Sequence, residues 1–126
     1  MADRAKPSIF FRPARSGLAK FCGELEAKIM EVVWANGPMT VKRALYFLNK
    51  EHHYAYTTIM TVMNRLVEKA FLTRKKQGHS YFYTPTTSRK EFLNYAIGAI
   101  IISLNEDFSA ETSPHLTAPT KKKRKK

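Results

Sequence analysis

The stretch AYTTIMTVMNRLVEKAFLTRKKQGHSYFYTP, residues 55–85, changes its periodicity halfway along, and that change constrains the fold more than any other feature of the chain. In the first half, Ile59, Val62, Met63, Leu66 and Val67 recur at helical spacing and form one apolar stripe. Thr57, Thr58, Thr61, Asn64 and Arg65 occupy the other faces. In the second half, Phe71 to Lys76 and Ser80 to Thr84 flank Gln77-Gly78-His79. Tyr81 and Tyr83 alternate there with Ser80, Phe82 and Thr84, the period of two that marks a strand. Gly78 can supply the positive backbone dihedral of a tight turn. The expectation is a helix followed at once by a hairpin.

The chemistry of the two parts is complementary. Short hydroxyls, an amide and a guanidinium are the groups that bond base edges and phosphates in a major groove. By itself such a helix reads as a surface helix with an ordinary polar face. The hairpin reverses that reading, because Arg74, Lys75, Lys76 and His79 gather near its tip, where they suit the backbone beside a groove. A helix that reads and a basic hairpin that grips describe a winged helix-turn-helix whose partner is double-stranded DNA. The fold class expected is mainly α with a small β-hairpin, plus a C-terminal dimerisation helix. The recognition-helix contacts fall on Thr57, Thr58, Thr61, Asn64 and Arg65, and the wing contacts on Lys75, Lys76 and His79.

A chain of 126 residues is one domain plus tails. Its formal charge of +12 is unevenly placed: residues 1–20 carry net +4, residues 21–119 only +2, and residues 120–126 carry +6. Most of the excess therefore lies in two arms, which bind polyanions without reading sequence. In the C-terminal arm, Lys121, Lys122, Lys123 and Arg124 are the DNA-binding candidates. Cys22 is the single cysteine, which rules out an intrachain disulfide and a multi-thiolate metal site. His52, His53, His79 and His115 show no ligand spacing, so no metal and no cofactor is expected. No nucleophile–base pair, carboxylate dyad or phosphate loop is visible, which argues against an enzyme. Neither a signal segment nor an apolar run long enough for a bilayer occurs; Ala96 to Leu104 is too short, so no membrane partner is expected. The expected location is cytoplasmic and nucleoid-associated.

Four segments follow. Residues 1–20 read as a basic flexible arm with an apolar Ile9-Phe10-Phe11 triplet that can dock. Residues 21–87 form the winged-helix domain. Its first helix spans Glu24 to Ala35, with Leu25, Ile29, Val32 and Val33 inward, and Asn36-Gly37-Pro38 stops it. Thr40 caps a second helix reaching about Lys50, with Val41, Ala44, Leu45 and Leu48 inward. Residues 88–116 form the dimerisation region, opened by a Ser88/Glu91 capping box and helical to about Glu106. There Leu93, Ile97, Ile100, Ile101 and Leu104 belong to a stripe too broad to hide in a monomer, which marks an interface and hence a homodimer. The part from Asn105 to Pro119 is polar and proline-punctuated, and residues 117–126 are a lysine-rich tail.

Taken together, CGELEAKIMEVVWANGPMTVKRALYFLNKE and AYTTIMTVMNRLVEKAFLTRKKQGHSYFYTPTTSRKEF resemble the penicillinase repressor (BlaI/MecI/CopY-type) family of winged-helix transcriptional repressors. The most specific parts are Gly23-Glu24-Leu25-Glu26, Tyr56-Thr57-Thr58 and the wing segment Tyr81 to Pro85. The resemblance implies a homodimer that blocks transcription from a palindromic operator, and a signalling protease as a further partner. The chain departs from the family pattern in four ways. Ala70 stands where glycine is common at the end of the recognition helix. One cysteine cannot form the copper-responsive thiolate motif. Asp107-Phe108 replaces the Asn-Phe bond that is cleaved in penicillinase repressors. The dimerisation region is short and runs into the lysine tail. Two other functions fit the same composition: an architectural nucleoid protein that uses basic arms with low sequence specificity, and a protein-interaction winged helix whose basic tail is a nuclear targeting signal.

Overall fold

The computed structural model describes residues 6–117 and divides into two compact units, one ending at Phe92 and the other starting at Leu93. In the first unit, helix α1 (Glu24–Asn36) is followed by α2 (Val41–Leu48), α3 (Tyr56–Glu68) and the strands β1 (Leu72–Gln77) and β2 (Ser80–Pro85). Helix α4 (Arg89–Asp107) begins in the first unit and carries the second, which ends in α5 (Ser109–Thr117). This is the winged helix-turn-helix arrangement expected: mainly helical, with one antiparallel hairpin.

The expected caps form. Thr40 accepts a hydrogen bond from the Arg43 N–H at 3.2 Å and starts α2. The Ser88/Glu91 box closes in both directions, at 3.2 and 3.1 Å. Between α2 and α3, Asn49 bridges the turn: its side chain accepts from Tyr54 N–H and donates to the Tyr54 carbonyl. Helix α3 ends in a two-bond reversal, Phe71 N–H to Leu66 and Ala70 N–H to Val67, with Ala70 at φ 68°. Both bonds define a Schellman cap, and Ala70 stands in its left-handed position, where glycine is the usual residue. It is the one non-glycine residue with positive φ among the described residues.

Ile29, Met30, Val33, Ala44, Ile59, Met63 and Leu66 are fully buried between the three helices. Helix α1 is rolled slightly from its expected orientation. Leu25 and Val32 are half-buried, while Glu26, Ala27 and Met30 face inward with Ile29 and Val33. The physical reason is Glu26, whose carboxylate accepts from its own helix start at Gly23 N–H (2.8 Å) and from Lys69 Nζ (2.9 Å) at the end of α3. A second cluster is aromatic: Phe71 and Phe92 lie 5.1 Å apart between centroids, with Trp34 and Phe21 against Phe92. Trp34 also donates from Nε1 to the Thr87 carbonyl at 2.9 Å, which fixes the approach to α4.

Two expectations need correction. The arm expected to be flexible over 1–20 is, from Lys6 onward, a strap laid on the first unit. Ser8, Phe10 and Arg12 donate backbone bonds to Lys69, Phe21 and Lys20, and Gly17–Lys20 form a turn of 3-10 helix. Its composition is basic, yet Pro7, Leu18 and Phe21 are buried and Phe11 stacks on Phe21, so the strap has an apolar side to hide. The second correction concerns the polar segment after Asp107, which is helical as α5 despite Pro114. Phe108, Thr112 and Leu116 share a shallow groove with Ile101 and Leu104, and that apolar lining gives the short helix its reason to form.

Candidate nucleic-acid interface

Helix α3 buries Ile59, Val62, Met63 and Leu66 and leaves Thr57, Thr58, Thr61 and Arg65 exposed. These four belong to one face, because at 3.6 residues per turn positions 57, 58, 61 and 65 return to the same side. Ala55, which precedes the helix, makes no side-chain cap, so the first N–H groups of α3 point outward beside two threonine hydroxyls. A bare helix start flanked by hydroxyls is a good donor surface for phosphate oxygens.

Asn64 occupies a different place from the other four. It is half-buried, and its Oδ1 accepts from the Tyr83 hydroxyl at 2.8 Å and from Arg74 at 3.0 Å. Arg74 has donors alone, so the oxygen end of the amide must face it. Both donors come from the wing, where Arg74 and Tyr83 are directly paired across the hairpin. Arg74 also lies 4.5 Å over the Tyr81 ring. Tyr83 is 2% exposed and exchanges two backbone bonds with Met39, ahead of α2. Asn64 is thus the point where recognition helix, wing and the approach to α2 are joined. With Oδ1 engaged, only its N–H donors remain for a base. The two-bond pairing of an asparagine with adenine uses the oxygen as well, so it requires Asn64 to release Arg74 or Tyr83.

The wing itself is exposed from Thr73 to Ser80, with Gly78 at φ 63° in a two-residue turn with His79. Lys75, Lys76 and His79 therefore stand in solvent at or near the tip. The sequence reading missed Tyr83 and Arg74 as a connecting pair. Their opposite positions across the hairpin turn were the available signal. It also missed the Glu26–Lys69 bridge, for which residue spacing gives no clue.

Lys121, Lys122, Lys123 and Arg124 lie outside the described residues. Cys22 is buried, and its thiol donates to the Leu18 carbonyl at 3.6 Å. Burial first, then the Glu26 carboxylate, push its pKa up to about 12, so it stays a neutral thiol at physiological pH. Among the described residues there is no group of three His, Cys, Asp or Glu placed to hold a metal ion, and no helix long and apolar enough to cross a membrane. In the second unit, Ile97, Leu104, Ile102, Phe108 and Leu116 are exposed, while Leu93, Ile100 and Ile101 are half-buried. The Asn105 side-chain oxygen is shielded from solvent with no hydrogen-bond partner among the described residues.

Comparison with known proteins covers the chain from α1 through α5. The family model described as Penicillinase repressor matches residues 22–120. The chain is 32% identical over 72 residues to the Transcriptional regulator BlaI of Mycobacterium tuberculosis, covering 56% of this chain and 52% of that protein. It is 26% identical over 70 residues to the Penicillinase repressor of Bacillus licheniformis, covering 56% of this chain and 55% of that protein. The chain thus spans about half the length of the curated relatives it matches. A solution structure of the DNA binding domain of the repressor BlaI aligns with a TM-score of 0.48 at 25% identity, covering 64% of this chain and 90% of that one. With the family match running from the start of α1 through α5, this chain belongs to the penicillinase repressor family.

Proposed function

We propose that the protein is a sequence-specific DNA-binding transcriptional repressor, acting as a homodimer on a palindromic operator. The observation that carries the reading is the exposed face of α3: Thr57, Thr58, Thr61 and Arg65 stand together, and the wing is tied beside them through Asn64. The hydroxyls and Arg65 serve base edges and adjoining phosphates, and Lys75, Lys76 and His79 serve the flanking backbone. Asn64 contributes N–H donors, which select acceptors on a base edge.

Membership of a family of repressors, together with the character of this face, supports a binding protein and no enzyme. The dimer reading rests on the second unit. Leu93, Ile97, Ile100, Ile101 and Leu104 give it an apolar surface, and a partner chain's donor would satisfy Asn105 Oδ1. A two-fold dimer matches two half-sites of a palindrome. A signalling protease enters by family resemblance, and the bond it would meet, Asp107-Phe108, lies at the junction of α4 and α5.

The test is selection of duplexes from a random library by the full chain, followed by affinities for the selected and a scrambled duplex at physiological salt. A ratio of about 10³ or more, with an inverted repeat among the selected sequences, fits the repressor. A ratio near unity would instead establish the architectural reading, in which the basic arms dominate.

A further inference from the structure

The strap of residues 6–21 lies ahead of the segment matched by the family, and neither α3 nor the wing accounts for it. Its middle is held in a defined turn. Arg12 N–H donates to the Lys20 carbonyl at 2.7 Å, Arg15 N–H donates to the Arg12 carbonyl at 3.1 Å, and Lys20 Nζ donates to the Pro13 and Arg15 carbonyls. The Arg12 guanidinium is 4.7 Å from the Phe10 ring centroid. Lys20 thus spends its charge on the turn, and the turn presents Arg12 and Arg15.

Both arginines line a groove of about 520 Å³ that Arg65 and Lys69 of α3 also line. Two carboxylates, Glu24 and Glu26, also line it. Glu26 is already engaged by Lys69 and by Gly23 N–H. Neither Arg12, Arg15 nor Arg65 forms an ion pair among the described residues, where the pairs are Lys69–Glu26 and Arg89–Glu31. Four cations line this groove against two carboxylates, one of them already bonded to Lys69, so it carries a positive excess that an anion offsets.

The position of the groove on α3 identifies the anion. Asn64 and Arg65 are neighbours, so their side chains diverge by about 100° around the helix. Asn64 turns to the wing, whereas Arg65 and Lys69, one turn apart, turn to the strap. The exposed threonines lie between these two flanks. We propose that the strap is a second phosphate clamp, in which Arg12 and Arg15 join Arg65 on the DNA backbone along the flank of the recognition helix turned away from the wing. This rests on the reading of α3 as the groove-reading helix. A polyanion that follows the helix on both sides is the backbone of the same duplex.

The test uses the full chain, with a duplex it selects from a random library and a scrambled duplex of equal length, titrated over a range of salt. Arg12→Ala/Arg15→Ala is expected to lower the log–log salt slope by about two units on both duplexes, since each phosphate contact contributes about 0.9. Affinity falls by the same factor on both, and the selected sequence is unchanged. Arg12→Lys/Arg15→Lys restores most of the slope, which a merely structural role for the strap would not require. An unaltered slope in the double-alanine variant, with its melting temperature preserved, overturns the clamp. A changed selected sequence also overturns it, because the strap would then be reading bases. If the wild-type chain itself fails to prefer its selected duplex, the failure belongs to the repressor reading and not to the strap.

Discussion

The Glu26 side chain in the first unit and the Asn105 side-chain oxygen in the second are shielded from water, and they are treated in opposite ways. Glu26, 4% exposed, is bonded on one side to the start of α1 and on the other to Lys69 at the end of α3. The Asn105 oxygen has no partner among the described residues. The core of the first unit and the aliphatic face of the second differ in the same direction. Phe71, Phe92, Ile29 and Met63 are at most 1% exposed, whereas Ile97, Ile102 and Phe108 are about half exposed or more, at 48%, 61% and 55%. The first unit closes a core within one chain, with Phe10 and Tyr46 left exposed on its surface. The second has apolar surface and a polar atom left over, the condition expected of half an interface.

The largest effect that tests this contrast is loss of the proposed dimer. Ile101→Asp places a charge among Ile100, Leu104 and Phe108, on a surface where each apolar side chain buried is worth about 1.5–3 kcal/mol and is counted twice by symmetry. Sedimentation equilibrium should show monomers with an intact first unit. Operator affinity should fall by roughly a hundredfold or more as the two-site advantage disappears. A wild-type chain that is monomeric at micromolar concentration breaks the comparison, because the open face of the second unit would then need another explanation.

Next in size is a test of closure in the first unit. Lys69→Ala leaves the buried Glu26 carboxylate with Gly23 N–H as its remaining partner, and removing one member of such a pair costs about 3 kcal/mol. Thermal unfolding should show this as a loss confined to the first unit, with self-association unchanged. An unchanged midpoint would mean that Glu26 is satisfied without its lysine.

Sequence alone conveyed different amounts of these two regions. The helix–hairpin switch at residues 68–72, the Thr40 cap and the Ser88/Glu91 box are local, and each follows from a few neighbouring side chains. The exposed threonine face of α3 was legible for the same reason, since helical spacing alone decides it. What escaped was bonding across long sequence separations: Glu26 to Lys69, Trp34 to Thr87, and Asn64 to Arg74 and Tyr83. Asn64 has the chemistry of a base reader, and only the packed hairpin shows that its oxygen is occupied. The strap and α5 escaped through composition. Basic residues and prolines dominate the strap and short polar residues dominate α5, while the few apolar residues that anchor them, such as Leu18, Phe21 and Phe108, carry no clear period.

The Asn64 junction gives a smaller and more local test. Asn64→Ala strands the buried Tyr83 hydroxyl, at a cost of about 1–3 kcal/mol for an unsatisfied group. Adding Tyr83→Phe removes the stranded hydroxyl, so the double variant should recover part of that loss in a double-mutant cycle. A strictly additive pair would mean that the wing is held to α3 by other contacts. In binding assays, Asn64→Ala should change the selected sequence. Lys75→Ala should weaken all duplexes alike and lower the salt slope by about one unit.

The smallest effect concerns one backbone angle. Ala70 sits at φ 68° in the left-handed position of the cap that turns α3 into β1. An alanine methyl in that region crowds the neighbouring carbonyl and costs roughly 1–2 kcal/mol, whereas glycine has no such contact. Glycine takes back part of the gain through its freer unfolded chain. Ala70→Gly should therefore stabilise the first unit by about 1 kcal/mol, which for a domain of this size raises the melting temperature by roughly 4–8 °C. The two cap bonds, Phe71 to Leu66 and Ala70 to Val67, are unchanged by the substitution, so the hairpin keeps its position and the selected DNA sequence should stay the same. Self-association through the second unit should not move either. A destabilised Ala70→Gly variant would show that the alanine methyl makes a contact worth more than its strain. An altered selected sequence would show that this turn sets the angle between wing and recognition helix, making the cap part of the reading device.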